Sequence, residues 1–297
     1  MPRIVIFTDL DGTLLHPKSY SFDAALPALE LIKEKKIPLV LCSSKTKAEI
    51  EVYRKRLNNK HPFISENGGG IFMPDGYFSF TILHQESPSP QPSPTHIIPP
   101  PLTGGGKGEG EKYTAITLGK PYSEIRKAFI EIRKRLKIKA KGFGDMLTEE
   151  IAELAGLPLF EAMLSKARDF DEPFVFEKGE NRIEEFLDAI KKAGFHWTQG
   201  RFYHIMGEND KGKAVKILKG FLEKKHGKIT TIGLGDRFND LPLLKEVDYP
   251  VVVKNEDSTY DERINPPNLI KAEGIGPEGW NRKILRLVNE IASLRSQ

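Results

Sequence analysis

Sulfur is scarce in this sequence: Cys42 is the only cysteine among 297 residues. A single thiol excludes an intrachain disulfide framework and suits a reducing compartment. Long apolar runs are missing as well, and no stretch of ~20 apolar residues could span a bilayer as a helix. The chain enters an apolar strand almost at once, so no secretory leader is visible and a cytoplasmic location is expected. Charge of one sign is also lacking. The 45 basic residues face 41 acidic ones, a formal net charge of +4, and they are dispersed rather than gathered into a patch. That balance argues against a nucleic-acid or membrane partner. The seven histidines show no paired metal-ligand spacing, which disfavours zinc. What remains, 39% hydrophobic and 29% charged, is an ordinary globular composition. Its length suffices for two domains, or for one with a large insertion.

Strands and helices alternate over the first 84 residues. The run Ile4-Val5-Ile6-Phe7-Thr8 reads as a buried parallel strand, and it stops at Asp9-Leu10-Asp11-Gly12-Thr13. Phe22, Leu26, Leu29 and Ile32 then mark an amphipathic helix. A second strand at 37–42 stops at Ser43, and a third at 62–65 ends in the turn Glu66-Asn67-Gly68-Gly69-Gly70. The order β-α-β-α-β predicts an α/β fold with a doubly wound, parallel-sheet, Rossmann-like core.

Between Glu86 and Lys112 this pattern breaks down into proline and then glycine runs, which cannot bury an apolar face. A disordered or extended loop is expected at about 87–110. Strand and helix signals from Tyr113 to about 206 describe an inserted α+β module. The doubly wound pattern returns with a helix from Lys211, a strand at 229–234 ending in Gly235-Asp236, a strand at 251–253 and a final helix. The expected division is therefore a discontinuous core of residues 1–84 and 207–297, interrupted by a module of residues 85–206.

Chemistry in open α/β sheets sits beyond the carboxyl ends of strands. Four polar clusters fall at such places: Asp9 and Asp11, Ser43, Lys211, and the run Gly235-Asp236-Arg237-Phe238-Asn239-Asp240. Carboxylates crowded together are costly unless a cation or substrate occupies the space between them. Several acids, one lysine, a hydroxyl and an amide fit a hard divalent ion such as Mg2+ beside a phosphate. Two nearby stretches are weaker signals. Gly207 to Ala214 approaches a phosphate-binding P-loop, but Ala214 replaces the hydroxyl residue that such a loop needs. Cys42 lies within a strand, where a small buried residue is the ordinary reading.

In this arrangement the chain resembles the haloacid dehalogenase superfamily. The family's Asp-x-Asp-Gly-Thr pattern is met at Asp9 to Thr13 and its hydroxyl motif at Ser43. Its lysine motif is met at Lys211, and its acidic motif at Gly235 to Asp240. The resemblance implies that Asp9 is a nucleophile forming an aspartyl-phosphate and that Asp11 is the general acid and base. It implies Mg2+ held by Asp9, Asp236 and the Asp11 carbonyl, with Asp240 and Asn239 orienting the metal shell or its waters. Ser43 and Lys211, with Asn239 beside them, would hold phosphoryl oxygens.

The insertion between the second and third motifs implies a cap over the site. Gly142 to Asp145, Ser165 to Glu172 and Trp197 to His204 resemble cap segments of mannosyl-3-phosphoglycerate phosphatases, and Glu66 to Gly70 and Gly276 to Trp280 resemble their core. The likeness fails at about 87–110. It implies a small phosphorylated glycoside as substrate, with Arg168 and Arg201 as carboxylate ligands. Asp169, Asp171 and Glu172 would accept sugar hydroxyl hydrogens, Asn67 and Gly68 would line the entrance, and His204 and Lys45 are further candidates. The glucosyl ester, a phosphomutase and a non-catalytic binding protein are the rival readings.

Overall fold

A computed structural model describes residues 3–79 and 111–293. The proline- and glycine-rich run expected to form a loop at 87–110 lies outside the described residues. In chain order the elements are β1 (Arg3–Thr8), α1 (Leu26–Glu34), β2 (Leu39–Cys42), α2 (Lys47–Arg56), β3 (Phe63–Ser65), β4 (Gly70–Pro74) and β5 (Tyr113–Thr117). They continue with α3 (Tyr122–Leu136), β6 (Ala140–Gly142), α4 (Thr148–Ala155), α5 (Leu159–Ser165), β7 (Asp171–Phe176), α6 (Ile183–Lys192), β8 (His196–Gln199) and β9 (Tyr203–Met206). The last are α7 (Lys211–His226), β10 (Ile229–Gly235), α8 (Leu241–Lys245), β11 (Tyr249–Lys254), β12 (Ile270–Ile275) and α9 (Pro277–Ser293).

Eight strands form one sheet in the order β12-β11-β10-β1-β2-β3-β4-β5. The pairs from β12 through β3 are parallel, and β4 and β5 add an antiparallel edge. Because β1 is buried on both faces, its side chains divide with a period of two. Ile4 and Ile6 pack with Trp280, Ile284 and Val288 of α9. Val5 and Phe7 pack with Ala214, Val215 and Leu218 of α7 and with Leu243 and Leu244 of α8. This is the doubly wound core expected from the apolar runs.

The second sheet is antiparallel, in the order β6-β7-β9-β8. Its Phe174 and Ile205 pack against Ile125 and Phe129 of α3 and Phe186 of α6. The strand at Tyr113–Thr117 departs from the expected organisation. The sequence pattern places it in the inserted module, yet it pairs antiparallel with β4 at the edge of the large sheet. The backbone groups of β4 need a partner on that side, and Ile116 packs partly buried against the core cluster beneath α7. At the junction before β7, Phe170 is buried against bare backbone. A Cβ at Gly69 or Gly119 would sit only 2.3 or 2.6 Å from the Phe170 Cβ. Among the described residues, no helix is long and apolar enough to cross a membrane.

Candidate active site

The register of the large sheet builds the site. Thr8 at the end of β1 lies opposite Leu234 of β10, and the Asp9 amide donates to the Leu234 carbonyl at 3.0 Å. Asp9 and Asp236 therefore emerge side by side at the carboxyl ends of adjacent strands. Lys211 is the first residue of α7, whose Asp210 cap accepts from the Lys213 amide at 2.8 Å. The fully buried Lys211 Nζ donates to Asp9 Oδ1 and to Asp240 Oδ1, both at 2.6 Å. The other Asp240 oxygen accepts from the amides of Asp236 and Arg237 at 3.0 and 3.1 Å. Thr13 donates its hydroxyl to Asp236 Oδ1 at 2.9 Å. Gly12 has φ +79°, and a Cβ there would lie 2.4 Å from Asp236 Oδ2, so only glycine lets the two turns approach.

Carboxylate oxygens of Asp9, Asp236 and Asp240 all lie within 4.8 Å of one another. Burial pushes the Asp9 carboxyl up to about 7; Lys211 opposes this, while Asp240 and Asp11 add to it. Burial likewise raises Asp236 well above the carboxylate range, reinforced by Asp240 and Asp9. Burial alone would lower the Lys211 ammonium, but Asp240 and Asp9 outweigh it and raise its pKa. One ammonium thus faces three acids, a surplus of negative charge that a divalent cation bound through oxygen would balance. The donor set fits Mg2+. Both Asp240 oxygens are engaged by protein groups, one by Lys211 and one by the loop amides.

Asp11 turns the other way. Its Oδ2 lies 3.2 Å from Lys45 Nζ, which also meets Glu49 Oε1 at 3.2 Å, and its Oδ1 has no protein partner among the described residues. Burial raises the Asp11 carboxyl. A cleft, partly open to solvent, joins these groups to the smaller sheet. The core contributes Asp9, Asp11, Lys45, Asp236 and Asn239 to its lining, and the inserted residues contribute Phe143, Arg168, Arg201, Phe202 and His204.

The expected site residues divide accordingly. Asp9, Asp11, Lys211, Asp236, Asn239 and Asp240 come together at one sheet edge. Ser43 is fully buried, accepts from the Lys45 amide at 3.3 Å and does not line the cleft; its neighbour Ser44 does. Arg168 lines the cleft, but its guanidinium donates to Ser44 O, Ser165 O and Asp171 Oδ1 at 2.7 to 2.8 Å. It ties β7 to the core, since each buried donor takes a buried acceptor. Arg201 lines the cleft from the β8–β9 hairpin and donates to Tyr20 Oη and the Ala155 carbonyl. Asp169 is exposed and outside the cleft lining. Gly68 closes a backbone contact, a Cβ there meeting the Asp210 carbonyl at 2.1 Å.

Asp171 and Glu172, expected to accept sugar hydroxyls, are instead fully buried. Glu172 accepts from Tyr122, Arg126 and the Gly144 amide. Asp171 accepts from Arg168, Asn67 and His204. Sequence reasoning passed over Thr13, although it closes the first motif, and the aromatic wall of Phe143, Phe202 and Tyr20, which no spacing signals.

Residues 6–87 and 164–264 match the family described as haloacid dehalogenase-like hydrolase. The chain belongs to this family and is a hydrolase. Two curated relatives are each 44% identical to it, and both are named glucosyl-3-phosphoglycerate/mannosyl-3-phosphoglycerate phosphatase. The one from Methanococcoides burtonii aligns over 96% of this chain and 97% of its own length; the one from Persephonella marina aligns over 97% and 98%. A mannosyl-3-phosphoglycerate phosphatase from Pyrococcus horikoshii is 37% identical over 84% of this chain and 90% of its own. Among solved structures, a Thermoplasma acidophilum protein superposes with TM-score 0.63 at 16% identity, covering 96% of this chain and 98% of that one. A haloacid dehalogenase-like hydrolase from Bacteroides thetaiotaomicron gives 0.62 at 16% identity, covering 97% and 100%. These distant structures share the fold.

Proposed function

We propose that this chain is a Mg2+-dependent phosphatase of 2-O-mannosyl-3-phosphoglycerate, releasing mannosylglycerate and inorganic phosphate in the cytoplasm. The glucosyl ester is the second reading, favoured by the relatives whose names carry both substrates. The observation that carries the proposal is the buried group of Asp9, Asp236, Asp240 and Lys211 opening onto a cleft walled by a second sheet.

Asp9 and Asp236 would hold the ion, which when bound neutralises phosphoryl charge that would otherwise repel an anionic nucleophile. Lys211 fixes one Asp9 oxygen and leaves the other to attack phosphorus. The new bond joins that oxygen to phosphorus as the ester oxygen departs, and Asp11 donates the proton that the departing oxygen takes up. Asp11 then draws a proton from water as the water oxygen displaces Asp9, releasing phosphate. Lys45 orients Asp11 for both transfers. The inserted residues act as a cap that excludes bulk water and restricts the site to small substrates. Its boundary then follows β5, which stays with the core.

Phosphate release from a panel of esters, with Mg2+ and with EDTA, tests the proposal. The expected result is turnover of the mannosyl and glucosyl esters that EDTA abolishes and Mg2+ restores. Turnover indifferent to EDTA, or a phosphate isomer in place of free phosphate, would overturn it. A preference of about 10-fold or more for the glucosyl ester in kcat/KM would reverse the order of the two substrates.

A further inference from the structure

His204 is buried at 3% exposure, yet it lines the cleft. Strand alternation explains both facts. Phe174 of β7 and Ile205 of β9 face α3 and α6, so Pro173 and His204, paired across the two strands, face the opposite way. His204 Nδ1 lies 2.9 Å from Asp171 Oδ2. Asp171 is held in turn by Arg168 Nη1 at 2.8 Å and Asn67 Nδ2 at 2.9 Å. Asn67 Oδ1 accepts from Asn239 Nδ2 at 3.1 Å. Four side chains from β9, β7, the turn after β3 and the loop after β10 therefore form one hydrogen-bonded line. It runs from the cap wall of the cleft to the acidic loop.

A carboxylate only accepts, so Nδ1 carries the hydrogen in this pair. Arg168 already supplies a positive charge beside Asp171. Nε2 is the ring nitrogen left to face the cleft, and no hydrogen bond joins it to a described residue. An imidazole nitrogen that faces a cleft can hydrogen-bond a polar group entering it. A sugar hydroxyl both donates and accepts, so it can pair with this nitrogen with or without a proton on it.

Resting on the proposed sugar-phosphate reading, the structure assigns His204 as a substrate-binding residue. Its Nε2 hydrogen-bonds a hydroxyl of the glycosyl group, and Asp171 is the positioning residue that orients the ring. On that reading the phosphoryl group would bind beside Asp9 on the core wall, so His204 discriminates among substrates without acting on the bond that breaks.

The test compares kcat and KM of wild type, His204→Ala and His204→Gln on 2-O-mannosyl-3-phosphoglycerate and on p-nitrophenyl phosphate, which has no sugar. His204→Ala is expected to raise KM for the mannosyl ester about 10-fold or more, leaving p-nitrophenyl phosphate turnover within about 2-fold. His204→Gln retains an acceptor oxygen and is expected to recover most of the loss. An equal loss on both esters, which a merely structural role would give, or no loss on the mannosyl ester, would overturn the assignment. Wild-type turnover of the mannosyl ester separately tests the substrate reading. If that fails, the same comparison is read on whichever hexose phosphate the enzyme hydrolyses.

Discussion

Lys211 Nζ lies 2.6 Å from Asp9 Oδ1, although 202 residues separate the two along the chain. The pair shares its ammonium with Asp240, and all three side chains are buried. Removing the cation while leaving two buried carboxylates costs far more than the pair itself contributes. Lys211→Met is therefore expected to destabilise the chain by about 3–5 kcal/mol in EDTA. Urea denaturation measures this, and added Mg2+ should recover part of the loss.

Asp9→Asn keeps the shape of the site and removes the attacking oxygen. No phosphate release should remain, and mass spectrometry of acid-quenched reactions should find phosphorylated Asp9 in wild type alone. Residual turnover near the wild-type rate would show that the nucleophile lies elsewhere.

Gly12→Ala places a Cβ against Asp236 Oδ2 and asks a residue with a side chain to hold φ +79°. Activity is expected to fall on the order of 100-fold through displacement of Asp236, because small misplacements at a reacting centre are costly. Circular dichroism should show the helix and strand content unchanged.

Burial lowers His61 from 6.5 to about 4, with Arg3 and Lys225 adding to the effect. Its Nδ1 lies 2.8 Å from Tyr77 Oη. Between these two pH values the unfolded chain binds a proton that the folded chain refuses. Stability is therefore fully present above about pH 6.5 and falls as the pH drops towards 4. Thermal denaturation across this range should show a shallower decline for His61→Gln than for wild type.

The parts of the fold legible in the sequence were those where one strand carries its own signal. β1, β2, β3, β10 and β11 are short apolar runs, and β1, β2 and β10 each announce the polar cluster at their tips. β4 follows directly on the glycine turn and offered no separate boundary. β12 alternates Ile270, Lys271, Ala272 and Glu273 with little side-chain burial, as an edge strand does. β6 and β8 are as short as β3 and β2 but hold Ala-Lys-Gly and His-Trp-Thr-Gln in place of an apolar run. The cap residues were harder for a different reason. Whether Arg168, Asp171 or Glu172 meets a ligand or a buried partner depends on contacts such as Asn67 to Asp171, 104 residues apart. Local pattern carries no information about such pairs, whereas register along β1 and β10 places Asp9 beside Asp236 almost unaided.

The seat of Phe170 between Gly69 and Gly119 bears on how such an enzyme could change its substrate without losing its chemistry. The angle between the two walls is set there by close packing on bare backbone as well as by the Arg168 and Glu66 contacts. A single methyl at either glycine would tilt the whole recognition surface while every acid, amide and ammonium kept its identity. Drift in specificity can therefore begin at positions that touch neither sugar nor phosphate.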